Sequence, residues 1–256
     1  MRIEPFTVGD YIHVYNRGNR KAEIVRSEED RWRFMQALRF FNDSHSSQNI
    51  LRDILITSKT IRLSKSNFDR PITQQQKEPM SVFETGWPQN WPEKDPLVKI
   101  LCYCLMPNHF HLLLKEIKEG GVSRFMQKLG GGYTKYFNIK HKEVGRLFQG
   151  SYKGRTVKND QSYLEYLSVY IQVVNALELY PGGHKKALEN IDKALDFVQE
   201  YSFSSYQDFI GLRKSLIIDK DIFEEIFPSI EIYKEFVRDV INGRKYEVLE
   251  ELKLEN

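Results

Sequence analysis

Two short segments of the chain have the hydrophobic pattern of strands: one alternates between apolar and polar positions, and the other is mostly apolar. The first begins at Tyr11, is rich in aromatic and β-branched residues, and ends in turn-forming residues. The second runs through residues 101–116 and contains two histidines, His109 and His111. Because residues i and i+2 of a strand lie on one face, both imidazoles are predicted to project together, with Phe110 on the opposite face.

Apolar residues at helical spacing predict three helices in the same part of the chain. The first begins after Ser27, a residue type that caps helices, and has acidic residues in its first turn. The second spans residues 122–141, where three glycines from Gly130 are expected to interrupt it, by a kink or by close approach of a strand or a DNA backbone. The third begins after Asp160 and has three tyrosines on one face, for which core packing is the ordinary explanation: Tyr163, Tyr166 and Tyr170.

These elements predict an α+β fold, with a central antiparallel sheet, the histidines on a middle strand and helices packed on it. The pattern weakens between residues 42 and 96, which we interpret as an insertion or long excursion with a strand at 54–61 and a partly ordered loop at 82–91. We predict a main domain at residues 1–180, including this insertion, and a C-terminal helical appendage at 181–256.

Composition narrows the class of protein. With 256 residues and 41% hydrophobic content, the chain can bury a substantial core. The apolar run around the histidines is interrupted by polar residues and the N-terminus lacks a signal-peptide pattern, so a cytoplasmic protein without a membrane span is expected. The two cysteines, Cys102 and Cys104, lie two apart on one strand and are predicted to be reduced packing residues.

The net charge of +3 is unevenly distributed along the chain. Residues 1–180 have 27 Lys and Arg against 19 Asp and Glu, whereas residues 181–256 have 11 against 16. Between residues 120 and 160 the count is 9 against 2. Such an excess suits contacts with nucleic-acid phosphates, and a solvated basic face is the alternative.

Two imidazoles side by side also suit a divalent metal ion, although an isolated His-x-His is often an ordinary pair of strand histidines. The segment MPNHFHLLL, which contains the pair, resembles the histidine-hydrophobic-histidine motif of the HUH single-strand DNA endonucleases. Its surroundings resemble the single-tyrosine transposases, nearest to the REP-associated tyrosine transposases. Five further segments match that family's landmarks in order: YIHVYNRG, SEEDRWRFMQALRFF, GRLFQGSYKGRTV, DQSYLEYLSVYIQVVNALEL and SSYQDFIG.

The resemblance implies a ferredoxin-like HUH core, with Tyr170 as nucleophile and His109 and His111 holding Mg²⁺ or Mn²⁺. The family's tyrosine lies in Tyr-Ile-x-x-Asn-Pro, whereas this chain has YIQVVNA from Tyr170, so that Val174 replaces the expected polar residue. Asn175, one position later, lies about 140° from Tyr170 around a regular helix, and only a local bulge would bring it alongside as a third ligand. Gln172 lies about 200° away.

In the family, the strand expected here at residues 147–157 borders the DNA path. The DNA-binding residues implied by the resemblance and by the basic composition are Arg17, Arg20, Lys128, Lys135, Gln149, Tyr152, Lys153 and Arg155. The implied activity is metal-dependent cleavage and rejoining of single-stranded DNA near hairpins through a 5′-phosphotyrosine intermediate, by a monomer or a homodimer. Two alternatives remain open: a catalytically inactive hairpin-binding protein, and a metal-dependent phosphodiesterase that uses water.

Overall fold

A four-stranded antiparallel sheet forms the centre of the structure. The computed structural model describes residues 5–45, 92–157 and 160–243. Its strands are β1 (Tyr11–Arg17), β2 (Val98–Leu105), β3 (His109–Glu116) and β4 (Lys153–Val157). They lie in the order β2-β3-β1-β4, with antiparallel neighbours throughout. Among the described residues, one α-helix lies between β1 and β2 and another lies between β3 and β4, as in the ferredoxin-like arrangement. The predicted α+β fold, with the histidines on a middle strand, is confirmed.

Helices cover both faces of this sheet. The two that connect strands are α1 (Glu28–Phe40) and α2 (Gly121–His141). After β4, one continuous helix consists of α3 (Gln161–Val169), a π-helical turn (Tyr170–Val174) and α4 (Asn175–Leu177). The C-terminal helices are α5 (Gly183–Ala187), α6 (Ile191–Glu200), α7 (Tyr206–Phe209), α8 (Phe223–Ile226) and α9 (Ile230–Ile241). In the ranges that the structure describes, no helix is long and apolar enough to cross a membrane.

Helices α1 and α2 pack against one face of the sheet. Ile12 and Val14 of β1, with Phe110 of β3, join an apolar cluster that includes Phe34 of α1 and Phe125 of α2. Phe110 therefore lies on the face opposite the histidines, as its position in the alternation predicts.

A buried carboxylate, Asp30, connects the start of α1 to the end of α2. It accepts hydrogen bonds from the backbone N–H groups of Arg26 and Ser27, while the Ser27 hydroxyl accepts one from the Asp30 N–H, so the predicted Ser27 cap is confirmed as a capping box. From α2, Lys140 Nζ donates at 2.8 Å and His141 Nε2 lies at 3.0 Å. Burial alone would raise the pKa of Asp30, but the bonds from Lys140, Arg26 and His141 outweigh it and lower that pKa to about 2.

The glycines of α2 do not interrupt it, because the helix is continuous from Gly121 to His141. The predicted interruption is wrong. A close approach to these glycines does occur, but its partner is neither a strand nor a DNA backbone. A Cβ atom on Gly132 would lie 2.4 Å from the Phe41 ring, at the end of α1. Glycine at this position thus allows two helices to pack closely, and neither a strand nor DNA is needed to explain it.

Strand β4 is shorter than the strand predicted at residues 147–157. Before Lys153, Phe148 forms an isolated bridge with Gly18, and the Gln149 N–H donates to the Arg17 carbonyl at 2.9 Å. The backbone before β4 is therefore paired with Arg17 and Gly18 at the end of β1. It lies outside the regular β1–β4 ladder.

Both ends of the predicted insertion are fastened at one place. The Asn42 side chain accepts from the Val98 N–H and donates to the Val98 carbonyl, at 3.0 and 2.8 Å. The Asp43 carboxylate accepts from the Asp95 N–H at 2.7 Å. The chain thus leaves and re-enters the fold next to the start of β2. The elements predicted within the insertion lie outside the described residues, at 54–61 and 82–91.

The other face of the sheet packs against the π-containing helix and the C-terminal helices. Leu113 of β3 shares an apolar cluster with Ile171 of the π-helical turn, Val198 of α6 and Val237 of α9. The residues after 180 therefore contribute to the same core as the helix that contains the tyrosines. The division into two domains at residue 180 stays a prediction.

Replacing Asp30 with Asn is expected to lower the free energy of unfolding at pH 7 by about 2 kcal/mol, since a lowered carboxyl pKa stabilises the folded state. This stabilisation is present above the unfolded-state pKa of about 4, and it is lost as the pH falls toward the folded-state pKa of about 2. The difference between variant and wild type should therefore shrink between pH 7 and pH 3, as urea denaturation would measure. Glu29→Gln is the control, because it removes a largely exposed carboxylate that also contacts Lys140. An equal difference in the free energy of unfolding between wild type and variant at pH 7 and pH 3 would contradict this role of Asp30.

Candidate active site

Two histidines lie on one face of β3, as predicted. His109 is the first residue of the strand and is partly buried, whereas His111 is 1% exposed. Their rings are perpendicular, with centroids 5.2 Å apart. The side chains are thus close enough to act on one bound group.

The tautomer of His109 follows from its neighbour. His109 Nδ1 lies 2.7 Å from Asn108 Oδ1, and an amide oxygen only accepts hydrogen bonds, so Nδ1 is the donor. Burial lowers the pKa of His109 to about 4, with a smaller raising effect from the Asn175 side chain and a lowering effect from Arg17. The ring is therefore neutral at pH 7 and has its lone pair on Nε2.

His111 lies against a third histidine, which the sequence analysis missed. His13 Nε2 is 2.9 Å from His111 Nδ1, and the two rings are stacked. Burial lowers the pKa of His111 well below its ordinary value, and His13 and His109 lower it further. Among the described residues, His111 Nε2 is buried without a hydrogen-bond partner.

The sequence contains one signal for His13. His13 lies two residues after Tyr11 and two residues before Tyr15 in β1, so all three side chains share a face. What the sequence does not contain is the register, in which Tyr15 pairs with His111 and His13 lies diagonal to it. A search for all histidines at alternating strand positions would have included His13 as a candidate.

Tyr170, the predicted nucleophile, contacts this histidine cluster from the helical side. Its ring centroid lies 5.6 Å from that of His111 and 6.3 Å from that of His13, and its plane is nearly perpendicular to both. The side chain is 2% exposed. The structure thus brings the predicted nucleophile and the two predicted histidine ligands together.

The helix has its irregular turn at this tyrosine. Residues Tyr170–Val174 form a π-helical turn, in which the Asn175 N–H donates to the Tyr170 carbonyl, five residues earlier. Such a turn contains one residue more than an α-helical turn. Asn175 therefore takes approximately the place that the fourth residue after Tyr170 has in a regular helix. This is the local bulge that the sequence analysis required.

The amide of Asn175 is oriented by the same turn. Its Nδ2 donates to the Tyr170 carbonyl at 2.8 Å, while its Oδ1 is buried without a hydrogen-bond partner among the described residues. The effect of Asn175 on the pKa of His109 shows that the amide lies close to that ring. Gln172 is elsewhere, beside the Cys102 thiol, whose pKa is raised by burial and lowered slightly by this contact.

These residues fit a divalent metal ion. The donors would be His109 Nε2, His111 Nε2 and Asn175 Oδ1. The last two are buried atoms without a hydrogen-bond partner among the described residues, and a cation would provide one. Imidazole nitrogen together with amide oxygen is a donor set compatible with Mn²⁺ and Mg²⁺. Within the described ranges, His, Cys, Asp and Glu side chains alone form no group of three that could hold a metal ion. The Asn175 amide, which lies close to His109, is a candidate for a third donor.

Three of the predicted cationic residues lie on the histidine face. Arg17 pairs with His109 across the β1–β3 ladder, and Lys153 and Arg155 of β4 pair with Tyr15 and His13. Lys153 and Arg155 are exposed, and Lys153 Nζ lies 6.0 Å from the centroid of the Tyr15 ring. This edge of the histidine face is therefore positively charged.

The other predicted DNA-binding residues are more widely distributed. Arg20 and Gln149 are exposed near the end of β1. Lys128 and Lys135 belong to α2, on the opposite side of the sheet, where Lys128 Nζ donates to the Asp43 carbonyl. Tyr152 also packs on that side, with its hydroxyl 3.3 Å from that of Ser123. The structure does not bring these last three residues to the histidine face.

Comparisons with known proteins give one family match. Residues 93–173, from the start of β2 to the π-helical turn, match the model of a family described as "Transposase IS200 like". No curated protein matches significantly. A solved structure of a REP-associated tyrosine transposase bound to a REP hairpin is similar with a TM-score of 0.38 and 12% identity, over 82% of this chain and 84% of that one.

Deleting Val174 is expected to convert the π-helical turn into regular α-helix with the fold intact, because the turn contains one extra residue. Val169 is a similarly buried valine of α3, where the helix contains no extra residue. Its deletion would rotate Tyr170 relative to the residues before it. The Val174 deletion should therefore lower the thermal midpoint less than the Val169 deletion, as circular dichroism would show. Equal losses would mean that the turn is no more tolerant of deletion than ordinary helix.

Proposed function

We propose that this chain, whose residues 93–173 match the model of the IS200-like transposases, cleaves and rejoins single-stranded DNA with Tyr170 as the nucleophile. The proposal rests on one observation, the meeting of a tyrosine with two histidines and an amide at one face of the sheet. A nucleophile next to groups that can hold a divalent cation is what metal-assisted phosphodiester cleavage requires.

The proposed reaction transfers phosphorus between two oxygens. A bond forms between Tyr170 Oη and the phosphorus while the bond from phosphorus to the 3′ oxygen of the preceding nucleotide breaks. The phenolic proton leaves Tyr170, and the 3′ oxygen gains a proton. The products are a 5′-phosphotyrosine linkage and a free 3′-hydroxyl. Attack of a 3′-hydroxyl on that linkage reverses the reaction, so strands can be rejoined without an external energy source.

Tyr170 requires help to ionise, since the reference pKa of a tyrosine is about 10. His109, His111 and Asn175 would hold Mg²⁺ or Mn²⁺, and this ion, when bound, supplies charge that polarises the scissile phosphate. The chain itself keeps both imidazoles neutral by burial and directs the Asn175 amide by its bond to the Tyr170 carbonyl. The burial of Tyr170 also limits the access of bulk water, which favours rejoining over hydrolysis.

We assign the DNA backbone to the histidine face, where Arg17, Lys153 and Arg155 offer positive charge next to the reacting groups. Single-stranded DNA near a hairpin is the proposed substrate class, and a monomer or a homodimer is compatible with the site. Residues 1–180 would form the catalytic unit and residues 181–256 the appendage, whose described helices pack against the tyrosine helix.

Replacing Tyr170 with Phe is expected to abolish a covalent protein–DNA adduct, because the nucleophilic oxygen is removed. The measurement is a denaturing gel of purified protein with labelled hairpin DNA taken from sequence flanking the gene, in Mg²⁺ or Mn²⁺. Tyr166→Phe is the matched control, since Tyr166 is buried in the same helix and packs against Phe236 of α9.

Each other result of this assay points to a different activity. Cleavage that persists in Tyr170→Phe would indicate a metal-dependent phosphodiesterase that uses water. Binding of the hairpin by both proteins without any adduct would indicate a DNA-binding protein that has lost cleavage. Either result would overturn the proposed nucleophile.

Replacing Asn175 with Leu is expected to weaken Mn²⁺ binding by about tenfold or more, because a direct ligand should matter at least as much as a residue that only orients one. Gln172→Leu is the matched control, since it removes a fully buried amide three residues away that lies beside Cys102. Titration followed by electron paramagnetic resonance measures both affinities. If the two variants bind Mn²⁺ equally well, Asn175 is not the third ligand.

A further inference from the structure

His13 is a buried group to which the proposed reaction assigns no part. It lies on β1, is 1% exposed, and faces the site from the strand next to the one that holds the histidine pair. Its Nε2 atom is 2.9 Å from His111 Nδ1. The two rings are stacked with centroids 5.2 Å apart, and the Tyr170 ring lies nearly perpendicular to both.

A hydrogen bond between two imidazole nitrogens has two possible directions. If His13 donates, His111 Nδ1 is the acceptor and the proton of the neutral His111 ring lies on Nε2. If His111 donates from Nδ1, its lone pair lies on Nε2. Only the second arrangement leaves an acceptor at the buried, unpartnered Nε2 atom of His111. A metal ligand must present such a lone pair.

The other histidine of the pair has the same arrangement. His109 donates from Nδ1 to Asn108 Oδ1, and its lone pair is on Nε2. Histidine ligands commonly donate their second ring N–H to a fixed acceptor, which sets the tautomer and the orientation of the ring. Asn108 provides that acceptor for His109, and His13 is the matching group next to His111.

We propose that His13 is a positioning residue, which accepts the Nδ1–H of His111 and thereby keeps the His111 Nε2 lone pair available to the metal ion. The inference rests on the proposed function, because it assigns the reason for the bond to the metal site. An imidazole acceptor also adds no negative charge beside a phosphate substrate, whereas a buried carboxylate at this place would repel it.

The hydrogen bond is tested without metal or DNA. Long-range ¹H–¹⁵N correlation spectra of the metal-free protein report which nitrogen of His111 is protonated. The wild type should show the Nδ1–H form, and so should His13→Gln, because a glutamine oxygen can reach the same acceptor position. His13→Leu should show a larger share of the Nε2–H form. A wild-type spectrum with the proton on Nε2 would overturn the proposal.

The consequence is tested by Mn²⁺ affinity, measured by electron paramagnetic resonance on the same three proteins. His13→Leu should bind Mn²⁺ about 10 to 100 times more weakly than the wild type, the range typical of residues that orient a metal ligand. His13→Gln should restore most of this loss, which a merely structural role of the ring would not predict. Equal affinity of wild type and His13→Leu overturns the positioning role while the metal site stands.

The failure of the proposed function gives a different result. A wild-type protein that binds no Mn²⁺ would refute the metal site itself. The spectra of the metal-free proteins would then decide the His13–His111 bond independently of the metal.

Discussion

The pairing register between β1 and β3 determines what the site contains. Tyr15 lies opposite His111 and Arg17 opposite His109, so β1 adds an aromatic ring, a cation and, diagonally, His13 to the two histidines of β3. Side chains alternate between faces along a strand, and a slip of one residue would move every one of these groups to the α1 and α2 side. That side is an apolar core, in which Ile12, Val14 and Phe110 are almost completely buried. The hydrophobic core thus determines the strand register, and the register determines which side chains meet at the histidine face.

The π-helical turn adds what the sheet alone lacks. Val174 occupies the fourth position after Tyr170, where a regular helix would direct an apolar side chain to the place that we propose for the third ligand. The extra residue of the turn brings Asn175 there instead, and the bond from its Nδ2 to the Tyr170 carbonyl leaves Oδ1 without a protein partner. Turns of this kind are uncommon and often occur at functional sites. An unpartnered buried oxygen is costly, which is consistent with a role that a bound cation would fulfil.

Local patterns predicted several features because their causes are local. The shared face of His109 and His111 follows from strand alternation, and the Ser27 cap follows from the side-chain chemistry of the first helical turn. Features that depend on distant contacts were beyond such reasoning. The role of Gly132 depends on Phe41 of another helix, and the short β4 results from backbone bonds of Phe148 and Gln149 near the end of β1. His13 was missed for the same reason, since its meeting with His111 depends on the register of two strands almost one hundred residues apart in the chain.

The described part of the C-terminal segment supports the candidate site through the π-helical turn. Ser204 forms an antiparallel bridge with Cys104, which places it along the outer edge of β2. From there its hydroxyl donates to the Gln172 carbonyl, inside the π-helical turn, at 2.7 Å. A π-helical turn replaces the regular hydrogen-bond pattern, so an added donor to one of its carbonyls helps to stabilise it. Ser204 is in turn held by Arg213, whose Nη2 donates to the Ser204 carbonyl at 2.8 Å. Residues beyond 180 therefore help to stabilise the turn that orients Tyr170 and Asn175.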